Sequence, residues 1–88
     1  MLKSLGTVET RSLVGAMVAA DAMLKAADVK ICDFSLVGSG LVAVVVSGEV
    51  AAVQAAVDSG LSAAEKVAEV VSFNVIPNPS GEVNKLLE

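Results

Sequence analysis

Residues 29 to 46 read VKICDFSLVGSGLVAVVV and carry the signal that decides the fold. Apolar and polar residues alternate from Val29 to Val37, which is typical of a half-buried strand. The tripeptide Gly38-Ser39-Gly40 favours a turn, and the apolar run Leu41 to Val46 has the length of a second strand. The segment therefore predicts a β-hairpin with a glycine-rich tip. The side of the first strand predicted to be apolar consists of Cys32, Phe34 and Leu36.

A helix is predicted before this hairpin. Thr10 offers an oxygen for the N-cap, and residues Arg11 to Ala27 are rich in Ala, Leu and Met. The apolar residues of this stretch recur at helical spacing, which predicts one face packed on a flat surface. The members of that face are Leu13, Met17, Ala20, Leu24 and Ala27.

A second helix is predicted after the hairpin and is expected to reach about Lys66. Ser47 can cap it, and Glu49 places an acid in the first turn, where the helix dipole favours negative charge. Gly60 is expected to be a weak point in its interior. The predicted apolar face consists of Val50, Val53, Val57 and Ala64.

Two more strands, the first and the last in the sequence, complete the pattern. Residues Leu2 to Glu9 are compatible with a first strand, and residues Val70 to Ile76 alternate until Pro77-Asn78-Pro79 stops the last one. A short C-terminal helix is predicted over Gly81 to Leu87. The order β-α-β-β-α-β predicts an α+β, ferredoxin-like fold for residues 1–88 as a single domain, with one antiparallel sheet and both helices on the same face.

The composition favours self-association. Of the 88 residues 55% are hydrophobic, and 14 Ala and 17 Val make up most of this fraction. A domain of this size buries only about 60–65% of its unfolded surface, so its own core cannot hide all of the apolar residues. Neighbouring copies are therefore expected to cover the remainder.

Several locations and partners are excluded. A membrane-spanning helix needs about 20 continuous apolar residues, whereas charges interrupt every stretch of this chain. No basic and apolar leader opens the sequence, so we expect a cytosolic protein without a membrane anchor. The net charge is −4 and the six basic residues form no cluster, which argues against a nucleic-acid partner.

The residue types that catalysis and metal binding require are missing. The chain has no His and no Tyr, and its carboxylates are predicted to lie mainly on solvated helix faces, so we predict no catalytic residue and no cofactor. The single cysteine, Cys32, cannot build a soft-metal site within one subunit and is predicted to be a buried structural thiol. The turn Gly38-Ser39-Gly40 lacks the spacing of a phosphate-binding loop.

Four segments, in this order and spacing, carry a resemblance to a known family. The chain resembles a bacterial microcompartment (BMC) shell protein of the single-domain hexameric type, and the match covers essentially all of its residues. The resemblance implies the BMC fold and flat cyclic hexamers that tile into the facets of a protein shell in the cytoplasm. The four segments are Leu5 to Arg11, Ala19 to Ala27, Val37 to Val42 and Val75 to Pro79.

The resemblance also implies roles for particular residues. Val37, Gly38, Ser39 and Gly40 match the turn that lines a narrow pore at the six-fold axis, where six hydroxyl groups would favour small polar or anionic solutes. Lys25 matches a lysine at the edge between hexamers. Asn78 stands where the family usually has an Arg at that edge, and Asn lacks the guanidinium fork. Tiling contacts that are weaker or differently partnered are therefore expected.

The partners implied by the resemblance are other copies in a homohexamer, trimeric shell proteins, vertex pentamers and the targeting peptides of cargo enzymes. An alternative from another class is a small-ligand-binding regulatory module of ferredoxin-like fold, with an effector held between subunits. A dimer or trimer with a cleft of convergent polar residues would favour that alternative. An enzyme would need residue types that the chain lacks.

Overall fold

A computed structural model describes residues 3–77 of the chain. Within this range the order of strands and helices is the predicted one. The predicted C-terminal helix over residues 81–87 lies outside the described residues, as does Asn78. The six elements are β1 (Ser4–Thr10), α1 (Leu13–Ala26), β2 (Lys30–Gly38), β3 (Leu41–Gly48), α2 (Val50–Ala64) and β4 (Val70–Ile76).

The four strands form one antiparallel sheet in the order β2-β3-β1-β4. The central strands β1 and β3 pair Val8 with Val44 and Gly6 with Val46. These four residues lie on the face of the sheet that the helices cover. The hairpin strand β2 and the last strand β4 are the two edges of the sheet. This arrangement confirms the predicted ferredoxin-like fold, with α1 and α2 side by side on one face of the sheet.

The core between the sheet and the helices consists almost entirely of Val and Ala. β-Branched valines pack well on a pleated surface, and alanines let a helix lie close to it. Met23 is the one large unbranched side chain among the fully buried residues described. The main contributors are Val8, Val42, Val44 and Val46 from the sheet, Ala16, Ala19 and Met23 from α1, and Val53, Ala56, Val57 and Ala64 from α2.

The first helix begins two residues later than predicted, and its N-cap is Ser12 instead of Thr10. The Ser12 side chain accepts a hydrogen bond from the backbone N–H of Gly15 at 2.9 Å. Thr10 is the last residue of β1 and is buried, and its hydroxyl donates to the Ser12 carbonyl oxygen at 2.6 Å. The prediction failed because either hydroxyl can cap a helix. Pairing with β3 and β4 holds Thr10 in the sheet.

The predicted apolar face of α1 was correct for Ala20, which is buried, and for Ala27, which packs against the core, but wrong for its three large residues. Leu13, Met17 and Leu24 were expected in the core, but their exposed fractions lie between 49% and 57%. The buried face of α1 is rotated toward Gly15, Ala19 and Met23. Ala19 and Met23 lie against Gly60 of α2, and a Cβ added at Gly15 would lie 2.5 Å from the side chain of Ala68, which follows α2. Close contact with α2 selects small residues over bulky ones. The buried residues are Gly15, Ala16, Ala19, Ala20 and Met23.

The second helix also differs from the prediction at its ends. Ser47 does not cap it but lies buried in β3, and the N-cap is Glu49, whose side chain makes no capping hydrogen bond. The helix ends at Ala64 instead of about Lys66. Gly60 is buried against α1, where an added Cβ would lie 2.7 Å from Cγ of Met23. The glycine expected to weaken the helix is therefore a point of close helix–helix approach.

Cys32 is exposed, so the prediction of a buried thiol was wrong. The pairing of β2 with β3 shifts register between Ile31 and Asp33, which leaves Cys32 as the extra residue of a bulge. Ile31 and Phe34 pair with the inward-facing Val46 and Val44, so Ile31 takes the inward position that strict alternation assigned to Cys32. A bulge of one residue breaks the period of two from which the burial was predicted.

Neither helix in the described range is both long enough and apolar enough to cross a membrane.

Gly6→Ala should lower the free energy of unfolding, by about 1–3 kcal/mol. The new Cβ would lie 2.6 Å from Cγ2 of Val57 and 2.7 Å from Cγ1 of Val53, and β-branched side chains have few rotamers with which to yield. Urea unfolding at fixed protein concentration measures the loss. The matched control is Gly48→Ala, whose Cβ would meet nothing closer than 3.2 Å. Equal losses for the two variants would contradict this account of the packing.

Candidate functional site

The hairpin turn between β2 and β3 has an unusual backbone. Gly38 pairs with Leu41, so Ser39 and Gly40 are the two central residues of the turn. Their φ angles are +53° and +77°, and Gly38 before them has φ +100°. Positive φ at both central residues is the requirement of a type I′ turn, which matches the twist of the flanking strands. Ser39 is the one described residue other than glycine with positive φ.

The turn stands clear of the rest of the chain. All residues from Val37 to Gly40 are exposed, and a Cβ added at Gly38 or Gly40 would meet no atom within 4 Å. The surrounding sequence from Phe34 to Gly48 carries no charged residue. The turn therefore presents backbone N–H groups and one hydroxyl on an uncharged projection, which can form hydrogen bonds but cannot carry out acid–base chemistry.

Lys25 lies in the last turn of α1, where a positive charge interacts favourably with the helix dipole. Its Nζ is 2.9 Å from Oδ2 of Asp21, one helical turn earlier, and both side chains are largely exposed. An exposed pair of this kind contributes little to stability. The ammonium group of Lys25 therefore lies at the surface and is held only by a weak, exposed ion pair among the ion pairs described.

The turn and Lys25 lie at opposite ends of the molecule and do not form one site. Strand β2 starts at Lys30, close after the end of α1, and runs to Gly38. At about 3.3 Å per residue this strand separates the two features by roughly 26 Å. That distance is most of the 35 Å length of the described part. Asn78, the other predicted edge residue, follows Pro77 directly and is not described.

A polar depression that sequence reasoning missed lies where β2 begins and β3 ends. Its volume is about 240 Å³, and two lysines and two carboxylates line it, so that their formal charges cancel. No continuous motif could have indicated it, because the lining comes from three separate segments. The lining residues are Lys3, Asp28, Val29, Lys30, Ser47, Gly48 and Glu49. Within residues 3–77 no group of three or more His, Cys, Asp or Glu could hold a metal ion.

Comparison with known proteins gives consistent matches along the chain. The BMC domain matches residues 4–79. The chain is 49% identical over 85 residues to the bacterial microcompartment shell protein PduA of Citrobacter freundii, covering 97% of this chain and 91% of that protein. It is 45% identical over 85 residues to the shell protein EutM of Escherichia coli K12, covering 97% and 88%. With the carboxysome shell protein CsoS1A of Hydrogenovibrio crunogenus the identity is 47% over 85 residues, covering 96% and 88%.

A solved structure is also similar. A microcompartment protein from Desulfitobacterium hafniense DCB superposes with a TM-score of 0.86 and 36% sequence identity over 97% of this chain. The present chain spans 46% of that solved chain, less than half of its length. The similarity supports the fold over almost all of the sequence in hand.

Gly38→Ala should lower the free energy of unfolding by about 1–2 kcal/mol, the usual cost of a left-handed backbone for a residue with a Cβ. Because the space around Gly38 is open, the loss is conformational and not steric. Chemical unfolding measures it. Ser39→Gly is the control: it removes a Cβ from a residue that already has positive φ, so no comparable loss is expected. A loss in the control as large as in Gly38→Ala would contradict the backbone argument.

Proposed function

This chain belongs to the BMC domain family of bacterial microcompartment shell proteins, and we propose that it forms cyclic hexamers that tile edge to edge into shell facets. It is a structural, non-enzymatic shell protein of microcompartments in the bacterial cytoplasm, and it assembles with other shell components. We take residues 1–88 as one shell domain.

The observation that carries this proposal is the placement of the turn and of Lys25 at opposite ends of the domain. In a ring whose hairpin tips point to the axis, the start of β2 and the end of α1 lie at the periphery. Lys25 then projects from the rim, roughly 26 Å from the turn. One protomer thus has an inner end suited to a pore and an outer end suited to contact with the next ring.

The pore is the proposed role of Val37, Gly38, Ser39 and Gly40. Glycines on both sides of Ser39 allow six backbones to approach one axis without Cβ clashes. Six Ser39 hydroxyls and the neighbouring N–H groups would then line an uncharged, polar opening. Such a ring replaces part of the hydration of small polar or anionic solutes and offers less to an apolar molecule.

The edge between hexamers is the proposed role of Lys25 and Asn78. Lys25 is exposed and paired only with the exposed Asp21 of its own helix among the ion pairs described, so it can reach acceptors on the next hexamer. Asn78 would supply an uncharged amide to this contact, and an amide lacks the charge and the fork of a guanidinium group. Each hexamer repeats the contact at six edges, so weak pairs can still give a stable layer.

A closed shell needs components besides the hexamers, and these are the further partners that we propose. A lattice of hexagons alone is flat, so a closed shell needs pentamers at its vertices. Trimeric shell proteins of similar outline can occupy hexagonal positions in the same facets. Targeting peptides of cargo enzymes are proposed to bind the inner surface of the shell.

Lys25→Ala should leave the hexamer intact and suppress its assembly into sheets. Loss of the ammonium group at every edge is expected to raise the protein concentration at which sheets appear by about tenfold or more, equivalent to about 1.4 kcal/mol per association step. Electron microscopy of concentrated protein, with light scattering on the dilute hexamer, measures both levels of assembly.

The matched control is Lys66→Ala, which removes an exposed lysine near the end of the other helix. Sheets formed by the Lys25 variant at the wild-type concentration would contradict the assignment of Lys25 to the edge. Failure of wild-type protein to form rings would contradict the proposed function itself.

Ser39→Leu should narrow or close the pore while assembly continues. Six branched apolar side chains would crowd the axis and remove the hydroxyl groups that favour polar solutes. The uptake of a small polar metabolite into assembled shells should fall, while Ser39→Gly should keep or raise it. Unchanged uptake with Ser39→Leu would count against this turn as the route.

A further inference from the structure

A carboxylate of β1 lies on the face of the sheet that the two helices leave uncovered. Glu9 follows Val8, which is buried under the helices, and successive side chains of a strand point to opposite faces. Ser72 of β4 pairs with Glu9, and its hydroxyl donates a hydrogen bond to Oε1 of Glu9 at 2.5 Å. This charge-assisted hydrogen bond holds the carboxylate in place on the uncovered face.

Glu9 also lies near the hairpin turn. It pairs with Ala43 of β3, and Ala43 is three residues from Gly40. At about 3.3 Å per residue and about 4.8 Å between strands, Glu9 is roughly 11 Å from the turn. In the proposed ring each protomer brings its turn to the axis, so the Glu9 carboxylates of all protomers surround the pore on one face. The opening of the pore on that face is here called the sheet-side mouth.

None of the described cations pairs with Glu9. Glu9 belongs to neither of the ion pairs found among residues 3–77. Arg11 lies at the same end of the sheet, but its Nε is 3.2 Å from Oε1 of Glu69, so these two charges balance each other. Lys66 follows Glu65 at the end of α2, and this pair adds no net charge either. The charge that remains at this end of the described domain is the negative charge of Glu9.

A second carboxylate lies on the same face but farther from the turn. Asp33 of β2 pairs with Val45, whose two neighbours on β3 face the helices, so Asp33 lies on the uncovered face. Its Oδ2 accepts a hydrogen bond from the Ser35 hydroxyl at 3.2 Å. The five residues from Asp33 to Gly38 span about 16 Å of strand. The uncovered face is therefore negative toward the turn, and Glu9 is the nearer source of that charge.

The size of the effect on an ion follows from Coulomb attraction and screening. The screening length is about 30 Å at about 0.01 M ionic strength and about 8 Å at about 0.15 M. Six carboxylates about 13–15 Å from the axis then change the local concentration of a univalent ion about five- to eightfold at the lower ionic strength and about twofold at the higher. One carboxylate about 11 Å away gives less than about a twofold change even at the lower ionic strength. A larger change therefore requires a ring.

We propose that Glu9 is a specificity-determining residue of the pore: its carboxylates make the sheet-side mouth negative, so small cations and uncharged polar solutes enter there more readily than anions. The inference rests on the ring and the axial turn of the proposed function. It narrows the solutes proposed there, because the turn offers hydrogen bonds to polar and anionic solutes alike, whereas a mouth lined by one sign of charge discriminates by charge.

A thiol placed at the turn of the dissolved ring tests this proposal. In the double variant Cys32→Ser/Ser39→Cys the single thiol lies at the turn. Its rates of reaction are compared for two methanethiosulfonate reagents, one with a sulfonate group and one with a trimethylammonium group. The ratio of the anionic to the cationic rate reports the local charge, because any change in the reactivity of the thiol itself cancels.

Glu9→Gln in this background should raise that ratio about 25-fold or more at about 0.01 M ionic strength and about fourfold at about 0.15 M, since the two reagents respond in opposite directions. The Gln amide oxygen can still accept the hydrogen bond from Ser72, which preserves the local structure. Asp33→Asn, which removes the more distant charge, should raise the ratio less than Glu9→Gln.

The matched control is Asp28→Asn. Asp28 is exposed and precedes β2, at the end of the domain opposite the turn, so the loss of its charge should change the ratio about twofold at most. Rings in which Glu9→Gln changes the ratio no more than Asp28→Asn would overturn the proposed role of Glu9 and leave the proposed ring standing. A wild-type protein that is monomeric by light scattering would overturn both.

Discussion

Close approach at small residues is the constraint on which this structure depends. At Gly6 the sheet meets Val53 and Val57 of α2, and at Gly60 the same helix meets Met23 of α1. A Cβ at either glycine would lie less than 3.0 Å from a neighbouring side chain. The helices can therefore lie low on the sheet, and the described part of the domain is only 16 Å across its thinnest direction. Its core is correspondingly shallow and is built from Val and Ala.

A shallow core has a consequence for the surface. Apart from Met23, few large apolar side chains fit in this core. Leu13, Met17 and Leu24 of α1 are exposed, as are Leu36 and Phe73 at the two sheet edges. In an isolated domain these side chains would remain in water, which is unfavourable. Association with other copies would cover these side chains. Small residues thus lie inside the domain and large residues at its exposed edges. This division suits a protein of a thin shell.

The two ends of the domain also differ in their chemistry. The turn at Ser39 is uncharged and exposed, and its backbone needs glycine on both sides. The charged side chains Asp21 and Lys25 lie at the other end of the domain and are paired with each other. The proposed pore would select solutes by hydrogen bonding, and the proposed edge contact would rely on charge, so the two make different demands. The length of β2 keeps them apart.

Much of the fold could be predicted because its signals are local. The turn at residues 38–40 and the proline after Ile76 both act on their immediate neighbours, and the predicted hairpin and last strand match the structure. The burial of Cys32 could not be predicted, because the bulge beside it depends on how β2 pairs with β3. The cap of α1 was misplaced for the same kind of reason, since pairing across the sheet decides that Thr10 ends a strand.

The order of elements, the hairpin and the apolar excess follow from the sequence alone, because periodicity, glycine content and composition are properties of the chain. Only the tertiary structure decided which face of α1 is buried. Hydrophobicity favoured the stripe of Leu13, Met17 and Leu24, whereas the close approach of Ala68 at Gly15 and of α1 to Gly60 of α2 buries another face of α1. The physical reason is that apolar character drives burial of some surface, but the space between packed helices decides which side chains fit there.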